Sequence, residues 1–341
     1  MGDLAAVAPA SREMSTVKQS GSGVWRVQST RQVPPRERFD FCRELPTGSH
    51  IERPLGARGD FFAAFRWAMT PEGIAFGEVA IDACVSRFGP GGDDAFVDVG
   101  MVNAGTMHIR HGRDQTLALH AGMAPIIFDA ARPMVTHVSR SDVAYLRVPR
   151  AAVVAAVGGD AVPRGAAVRP LGSGVLTAQL SACLGRVQHG VVQSAVEVAD
   201  SLRTARALAL VALAGVRGPG HHWPGELDVA LHRAACHQLV QQLANPRATA
   251  DGVAAVLGCS RAQLYRLFAA RGETIAGRLR EARMQRAAYL LVAHPRAAVG
   301  LVAGRCGYGE PIAFNRAFRR RFGMTPSDWR AARAEAQGAT V

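Results

Sequence analysis

The sequence predicts an α+β chain of two domains: a β-rich N-terminal domain that closes with helices, then an all-α C-terminal domain. Three observations predict it. From about Phe39 to Gly158, short apolar runs are broken repeatedly by Gly, Pro and Asp, as strands and tight turns require. From Leu171 the turn residues thin out and apolar residues recur at steps of three and four, the helical period. In the last third one pattern occurs twice, as Leu257-Gly-Cys-Ser-Arg-Ala-Gln-Leu-Tyr-Arg-Leu-Phe268 and as Cys306-Gly-Tyr-Gly-Glu-Pro-Ile-Ala-Phe-Asn-Arg-Ala-Phe318, some 49 or 50 residues apart. Each copy reads as the end of a short helix, a glycine turn and a second helix with an outward arginine, which is the helix-turn-helix pattern.

Taken in order, residues 1–35 read as a disordered arm, rich in Ser, Gly, Gln and charge. Residues 36–216 form the first domain, β-rich to about 165 and helical over 171–216. Its clearest strands are Phe76–Phe88, Ala95–Asn103, Gln115–Leu119 and Val143–Val148, several alternating apolar with polar residues. Many short strands with frequent turn signals suit a small barrel or sandwich. Leu180, Leu184, Val187 and Val191 mark one helix stripe, and Leu202, Leu208, Val211 and Leu213 a second. The run Arg217-Gly-Pro-Gly-His-His-Trp-Pro-Gly225 breaks every period and reads as the linker.

Residues 226–335 form the second domain. A helix from Glu226 to about Asn245 turns Leu231, Ala234, Ala235, Leu239, Val240 and Leu243 to one face, and Pro246 ends it. The first helix-turn-helix unit spans about 249–270. Thr249 caps its first helix, Gly258 supplies the turn, and Ser260 caps the second helix, with Gln263 completing a capping box. Leu264, Leu267 and Phe268 point inward, leaving Arg261, Ala262, Tyr265 and Arg266 outward. A connecting helix, Ile275 to Leu291, carries Arg278, Arg280, Arg283 and Arg286. The second unit spans about 298–321: Gly307 repeats the turn, Pro311 fits the first helical turn, and Phe314, Ala317 and Phe318 point inward. Glu310, Pro311, Ile312, Asn315, Arg316 and Arg319 are its outward candidates. Gly300 and Gly304 weaken the helix before it by roughly 1 kcal/mol each relative to Ala.

The charge supports the same division. The chain of 341 residues carries a formal +13, and Lys18 is its only lysine among 40 basic residues. From Glu226 onward there are 17 arginines against 8 acids, a net +9, leaving +4 for the first 225 residues. Positive charge concentrated on two helix-turn-helix units suits a phosphate backbone. An arginine that reaches guanine O6 and N7 reads sequence, and one on a phosphate only positions the protein. Arg266 and Arg316 are the candidates for the first role, Arg319, Arg320 and Arg321 for the second.

The closing stretch Phe322-Gly-Met-Thr-Pro-Ser-Asp-Trp-Arg330, shortly after Ala317-Phe-Arg-Arg320, resembles the AraC/XylS family of bacterial transcription regulators, as does the paired helix-turn-helix over about 226–335. More loosely, Leu117-Ala-Leu-His-Ala-Gly-Met-Ala-Pro-Ile-Ile-Phe-Asp129, Arg132-Pro133 and Leu146-Arg-Val-Pro-Arg150 resemble that family's cupin-like sensor domain. The resemblance implies a cupin-like β-barrel in front, a sequence-specific DNA-binding regulator or activator, and two recognition helices in successive major-groove segments about 34 Å apart. It also implies double-stranded DNA, a small-molecule effector, a second copy of the chain and RNA polymerase as partners. Gly309 stands where the family usually has a serine cap, so the second recognition helix is expected to start less firmly and to order fully on DNA.

Other functions find less support. Cys42, Cys84, Cys183, Cys236, Cys259 and Cys306 form no Cys-x-x-Cys pair and read as reduced cysteines of a cytoplasmic protein. No signal peptide is expected, and the apolar run Ala207–Val216 is too short to span a bilayer, so no membrane partner is expected. His108, His111, His120 and His137 lack the His-x-His and carboxylate spacing of a cupin metal centre, and no catalytic motif stands out; neither metal nor cofactor is expected. A cupin-type enzyme with a DNA-binding tail, or a front domain that only dimerises, are the rival readings.

Overall fold

The computed structural model describes residues 18–19, 25–45, 49–90, 94–113, 115–172, 174–192, 194–215 and 225–338. They form two compact units, the first reaching Ala230 and the second starting at Leu231. This boundary falls inside a helix, not in the expected linker, most of which (Arg217 to Pro224) lies outside the described residues.

The first unit has thirteen described strands: β1 (Lys18–Gln19), β2 (Arg26–Ser29), β3 (His50–Glu52), β4 (Ala63–Met69), β5 (Ala75–Ile81), β6 (Cys84–Phe88), β7 (Phe96–Ala104), β8 (Thr106–His111), β9 (Gln115–His120), β10 (Ile126–Phe128), β11 (Met134–Val138), β12 (Ser141–Pro149) and β13 (Val168–Pro170). One sheet runs β1-β2-β4-β5-β12-β7-β10-β13 and the other β3-β6-β11-β8-β9, each pairing antiparallel. The described strands therefore fall into two antiparallel sheets. The run expected as a single strand over 76–88 shows why: at Asp82 and Ala83 the chain leaves one sheet and enters the other. Both sheets share a core. Ile51, Ala63, Ile81, Cys84 and Val138 meet in one cluster, and Val102, Ile109, Leu119, Ile126 and Met134 in another.

Residues 25–35 depart from the expected arm. Arg26–Ser29 pairs with β4, Trp25 is buried edge-on against Phe76, and Thr30 Oγ1 donates to the Phe61 carbonyl at 3.2 Å. Alternation alone could not show this, because β2 is only four residues long and its partner β4 lies over thirty residues further on. The remainder of the arm, apart from Lys18 and Gln19, lies outside the described residues.

Helices α1 (Arg38–Glu44) and α2 (Arg150–Val157) flank the sheets, and α3 (Val175–Gln188) packs on α4 (Ala195–Gly215). Leu180, Leu184 and Val187 are buried as expected, as are Leu202, Leu208, Val211 and Leu213. Val191 is not: α3 ends three residues earlier and Val191 is exposed. The three stretches that resembled a sensor domain converge on one carboxylate. Buried Asp129 accepts from Arg132 at 3.0 Å and from Arg150 at 2.7 and 2.9 Å. Arg132 also donates to the carbonyls of Pro163 and Ala166, so these residues staple the sheet to the loop before β13.

Between the sheets lies a cavity of about 170 Å³. Phe65, Val79, Ile109 and Phe128 are among its apolar lining residues; Asp98, Tyr145 and Arg147 add polar groups from one sheet, and Ser86 and Thr136 from the other. Tyr145 stands opposite Gly77 on one neighbouring strand and Gly100 on the other. A Cβ on Gly77 would sit 2.2 Å from the Tyr145 ring, so glycine there makes room for the ring. Burial pushes the Tyr145 hydroxyl up to about 12, and it stays a neutral phenol at physiological pH.

The second unit is all helix: α5 (Gly225–Gln241, from Leu231), α6 (Ala250–Leu257), α7 (Arg261–Ala269), α8 (Ile275–Ala293), α9 (Val299–Arg305), α10 (Pro311–Phe322) and α11 (Pro326–Gly338). On α5, Leu231, Ala234, Ala235 and Leu239 are buried, but Val240 is exposed and Leu243 lies past the helix end; Gln238 takes the inward place. No helix among the described residues is long and apolar enough to cross a membrane.

Candidate nucleic-acid interface

The two helix-turn-helix units, α6–α7 and α9–α10, differ in how their helices begin. In the first unit, Thr249 Oγ1 accepts from the Gly252 amide at 3.1 Å and Ser260 Oγ from the Gln263 amide at 3.1 Å, so orphan donors at both N-termini are met. Only the Ser260 half of the expected capping box is formed. Gly258 takes φ +66° at the turn. In the second unit neither α9 nor α10 has a side-chain cap: Ala298 and Glu310 hold the N-cap positions. The N-cap of α10 is thus Glu310, one residue beyond Gly309, and Pro311 occupies the first turn.

Aromatic packing holds the second unit instead. Phe314 and Phe318 are fully buried, and ring contacts run from Tyr308 to Phe314 (5.4 Å), to Phe318 (5.8 Å), to Phe322 (4.6 Å) and to Trp329 (4.7 Å). Such pairs contribute about 0.5–1.5 kcal/mol each beyond their buried area. Both helices of the unit are formed, and α10, which starts without a side-chain cap, is held by these rings. The closing stretch completes this packing. Gly323 ends α10 at φ +77°, the Thr325 hydroxyl caps α11 by accepting from the Asp328 amide at 3.2 Å, and Arg330 donates to the Ala297 carbonyl at 2.7 Å.

Each candidate for DNA contact is on the surface. On α7, Arg261, Ala262, Tyr265 and Arg266 are exposed while Leu264, Leu267 and Phe268 are buried. On α10, Pro311, Ile312, Asn315, Arg316 and Arg319 are exposed, with Glu310 just before them, while Phe314 and Phe318 are buried. Arg261 is partly engaged, 3.4 Å from Asp251 and over the Tyr265 ring at 5.4 Å. Among the described residues, Arg266, Arg316, Arg319 and Arg320 form no intramolecular ion pair.

Arg321, expected to contact phosphate, and Arg283 of the connecting helix do other work. Arg321 pairs with Glu281 of α8 at 2.7 and 2.8 Å, which holds that carboxyl below its usual range. Arg283 of α8 donates to the carbonyls of Leu243 (2.9 Å) and Asn245 (2.7 Å), closing the C-terminal end of α5. Partial burial lowers its guanidinium from the ordinary value, and the Tyr308 ring lies 5.7 Å from it. Gly307, at φ +74°, passes directly by: a Cβ there would meet the Leu243 carbonyl oxygen at 2.4 Å and Arg283 Nη2 at 2.7 Å. Repetition in the sequence marks Gly307 as a turn residue; only the fold shows that its turn also seats the α5–α8 joint.

One cluster was not foreseen. His232 and Cys236 of α5 meet Glu273, from the segment between α7 and α8, with His232 Nε2 3.0 Å from Glu273 Oε2. The i, i+4 spacing of His232 and Cys236 was the available signal, and Glu273, 41 residues further on, carried none.

A helix-turn-helix domain family matches residues 253–332. No curated protein matches the chain. Among solved structures, a DNA-binding transcriptional dual regulator from Escherichia coli K-12 is 28% identical, over 31% of this chain and 93% of its own, with a TM-score of 0.30. The AraC-like transcriptional activator CuxR is 18% identical over 82% of this chain and 99% of its own, with a TM-score of 0.45. The DNA-binding domain of AdpA, solved with a target DNA, is 28% identical over 30% of this chain and 90% of its own, with a TM-score of 0.28. On the family match and the paired units it falls on, the C-terminal part of this chain is a helix-turn-helix domain of the AraC type.

Proposed function

We infer that the protein is a sequence-specific DNA-binding transcription regulator, not an enzyme, that works in the cytoplasm. The observation that carries this is the repeated presentation of α7 and α10: buried aromatic and aliphatic residues on one side, and exposed, unpaired Arg266, Arg316 and Arg319 on the other. Helices so displayed place side chains against base edges in the major groove, while surrounding arginines meet phosphates. Selection from random duplexes by the full chain tests it. A single enriched motif with two contacted segments is expected, with affinity falling steeply as salt rises. Enrichment of no motif would remove the claim of specificity, and salt-independent binding the claim of phosphate contact.

The first unit is the sensor in this reading. Its cavity of about 170 Å³ is close to the size that holds a benzene-sized molecule, and its largely apolar lining with a few polar groups suits a small, largely apolar effector. The cavity favours this over a domain that only dimerises. Within it Asp98 and Arg147 pair with each other at 3.1 Å, an arrangement that serves structure or recognition before acid–base chemistry. Homodimerisation and contact with RNA polymerase belong to the same proposal. Removal of residues 40–160 is expected to abolish effector response and preserve operator recognition; a truncated protein that still answers the effector would place the sensor elsewhere.

A further inference from the structure

The second unit holds a cluster that DNA recognition does not use. His232 and Cys236 stand one helical turn apart on α5, a spacing that brings two side chains to one face. Glu273 reaches them from beyond α7. One donor atom from each lies within 4.8 Å of the others. Two contacts converge on one nitrogen: His232 Nε2 is 3.0 Å from Glu273 Oε2 and 3.8 Å from Cys236 Sγ. An imidazole nitrogen carries one hydrogen or one lone pair, so it cannot bond fully with both neighbours; a cation held among all three can.

We propose that His232, Cys236 and Glu273 form a site for one transition-metal dication of the zinc class, with a fourth position open to solvent. The donor set decides the class. Nitrogen, thiolate and carboxylate together favour zinc and its neighbours over magnesium or calcium, which prefer oxygen alone. The spacing agrees. Bond lengths of about 2.0–2.3 Å at tetrahedral angles separate adjacent ligands by about 3.4–3.6 Å, so the two pairs that include His232, at 3.0 and 3.8 Å, need only small adjustments, and Cys236 and Glu273, within 4.8 Å of each other, close by a side-chain rotation. Binding exchanges the Cys236 thiol proton for the ion, and the proton leaves to solvent.

Charge and access are compatible too. Thiolate and carboxylate together neutralise the dication; Arg278, which is hydrogen-bonded to Cys236 and turns aside when the ion binds, and Arg271 and Arg233 nearby oppose it from outside the ligand set. The His232 ring is set against Phe268 of α7, with centroids 4.8 Å apart, which fixes the direction of its nitrogen. The His232 side chain is 17% exposed and that of Glu273 35%, leaving an approach for the ion. A bound ion would tie α5 to the segment that follows the first recognition helix.

Cobalt(II) titration of the full-length, reduced, metal-free protein tests this directly. One ion per chain is expected, with a thiolate-to-cobalt charge-transfer band and tetrahedral d–d absorption, both removed by zinc. Cys236→Ser should lose the charge-transfer band, His232→Gln and Glu273→Gln should lose tight binding, and Cys259→Ser should change neither. If Cys236→Ser fails to fold, iodoacetamide labelling of the unaltered protein decides: zinc should protect Cys236 and leave Cys259 labelled equally with and without metal. Absence of a charge-transfer band, its persistence in Cys236→Ser, unchanged cobalt affinity in His232→Gln and Glu273→Gln, or equal labelling of Cys236 with and without zinc would each overturn the site.

Discussion

At the scale of single residues, arginines that look alike in sequence divide by what they touch. Arg266 and Arg316 point outward without an ion-pair partner among the described residues, whereas Arg321 lies on Glu281 and Arg283 on two backbone carbonyls. Arg266→Ala is therefore expected to cost about 1–3 kcal/mol on the selected site and to relax preference at one or two base pairs. Arg321→Ala, by contrast, should leave base preference intact and reduce the salt slope little, because its charge is already paired. Binding measured on the selected duplex, its single-base variants and random DNA separates the two; equal losses on all sequences for both variants would show that neither reads bases. The turn glycines divide in the same way. A Cβ on Gly258 meets nothing within 4 Å, so Gly258→Ala carries the left-handed backbone cost of about 1–2 kcal/mol alone. Gly307→Ala adds the collision with Leu243 and Arg283, and chemical denaturation should find it clearly the more destabilised. The repeat makes both glycines visible in the sequence, but the difference between them depends on a carbonyl more than sixty positions earlier in the chain.

At the scale of elements, the two recognition helices reach similar order by different means. Ser260 caps α7 with its hydroxyl; α10 begins at an uncapped Glu310 and relies on the run of rings from Tyr308 to Trp329. Glu310 has the extended backbone, φ −112° and ψ 120°, from which a short hydroxyl can reach the amides ahead. Glu310→Ser is expected to raise stability by about 0.5–1 kcal/mol, partly offset by removing a carboxylate from a helix N-terminus, and Ser260→Ala to lower it by about 1 kcal/mol. Thermal unfolding of the two variants checks this; a destabilised Glu310→Ser would mean that the acid itself holds the helix start. These helices were legible because their signals are local: a hydroxyl, a glycine and an apolar stripe within a dozen residues. The strand Arg26–Ser29 and the split of residues 76–88 between two sheets were not, because strand partners lie far away in the chain and alternation does not say which sheet a strand joins. The ends of apolar stripes failed for a related reason: Val191 and Val240 continue a period past the point where packing stops.

At the scale of the whole molecule, the division into a β-rich unit and a helical unit follows from where the turn residues stop and the positive charge begins. The His232–Cys236–Glu273 cluster was beyond that reading, since it is assembled by tertiary packing of α5 against the end of the first helix-turn-helix unit. The helical unit has a further property. Its two readers are joined by α8, one unbroken helix of 19 residues, about 28 Å long, that Thr274 caps at its start and Arg283 pins to α5 near its middle. With no glycine between the pinned joint and the second reader's core, α8 is expected to hold the two readers at one separation, as a ruler would. Inserting one base pair between the two contacted segments turns the far segment by about 35° and shifts it about 3.4 Å, and a ruler cannot follow. Operators of this protein are therefore expected to vary in the bases between their two contacted segments but not in the number of those bases.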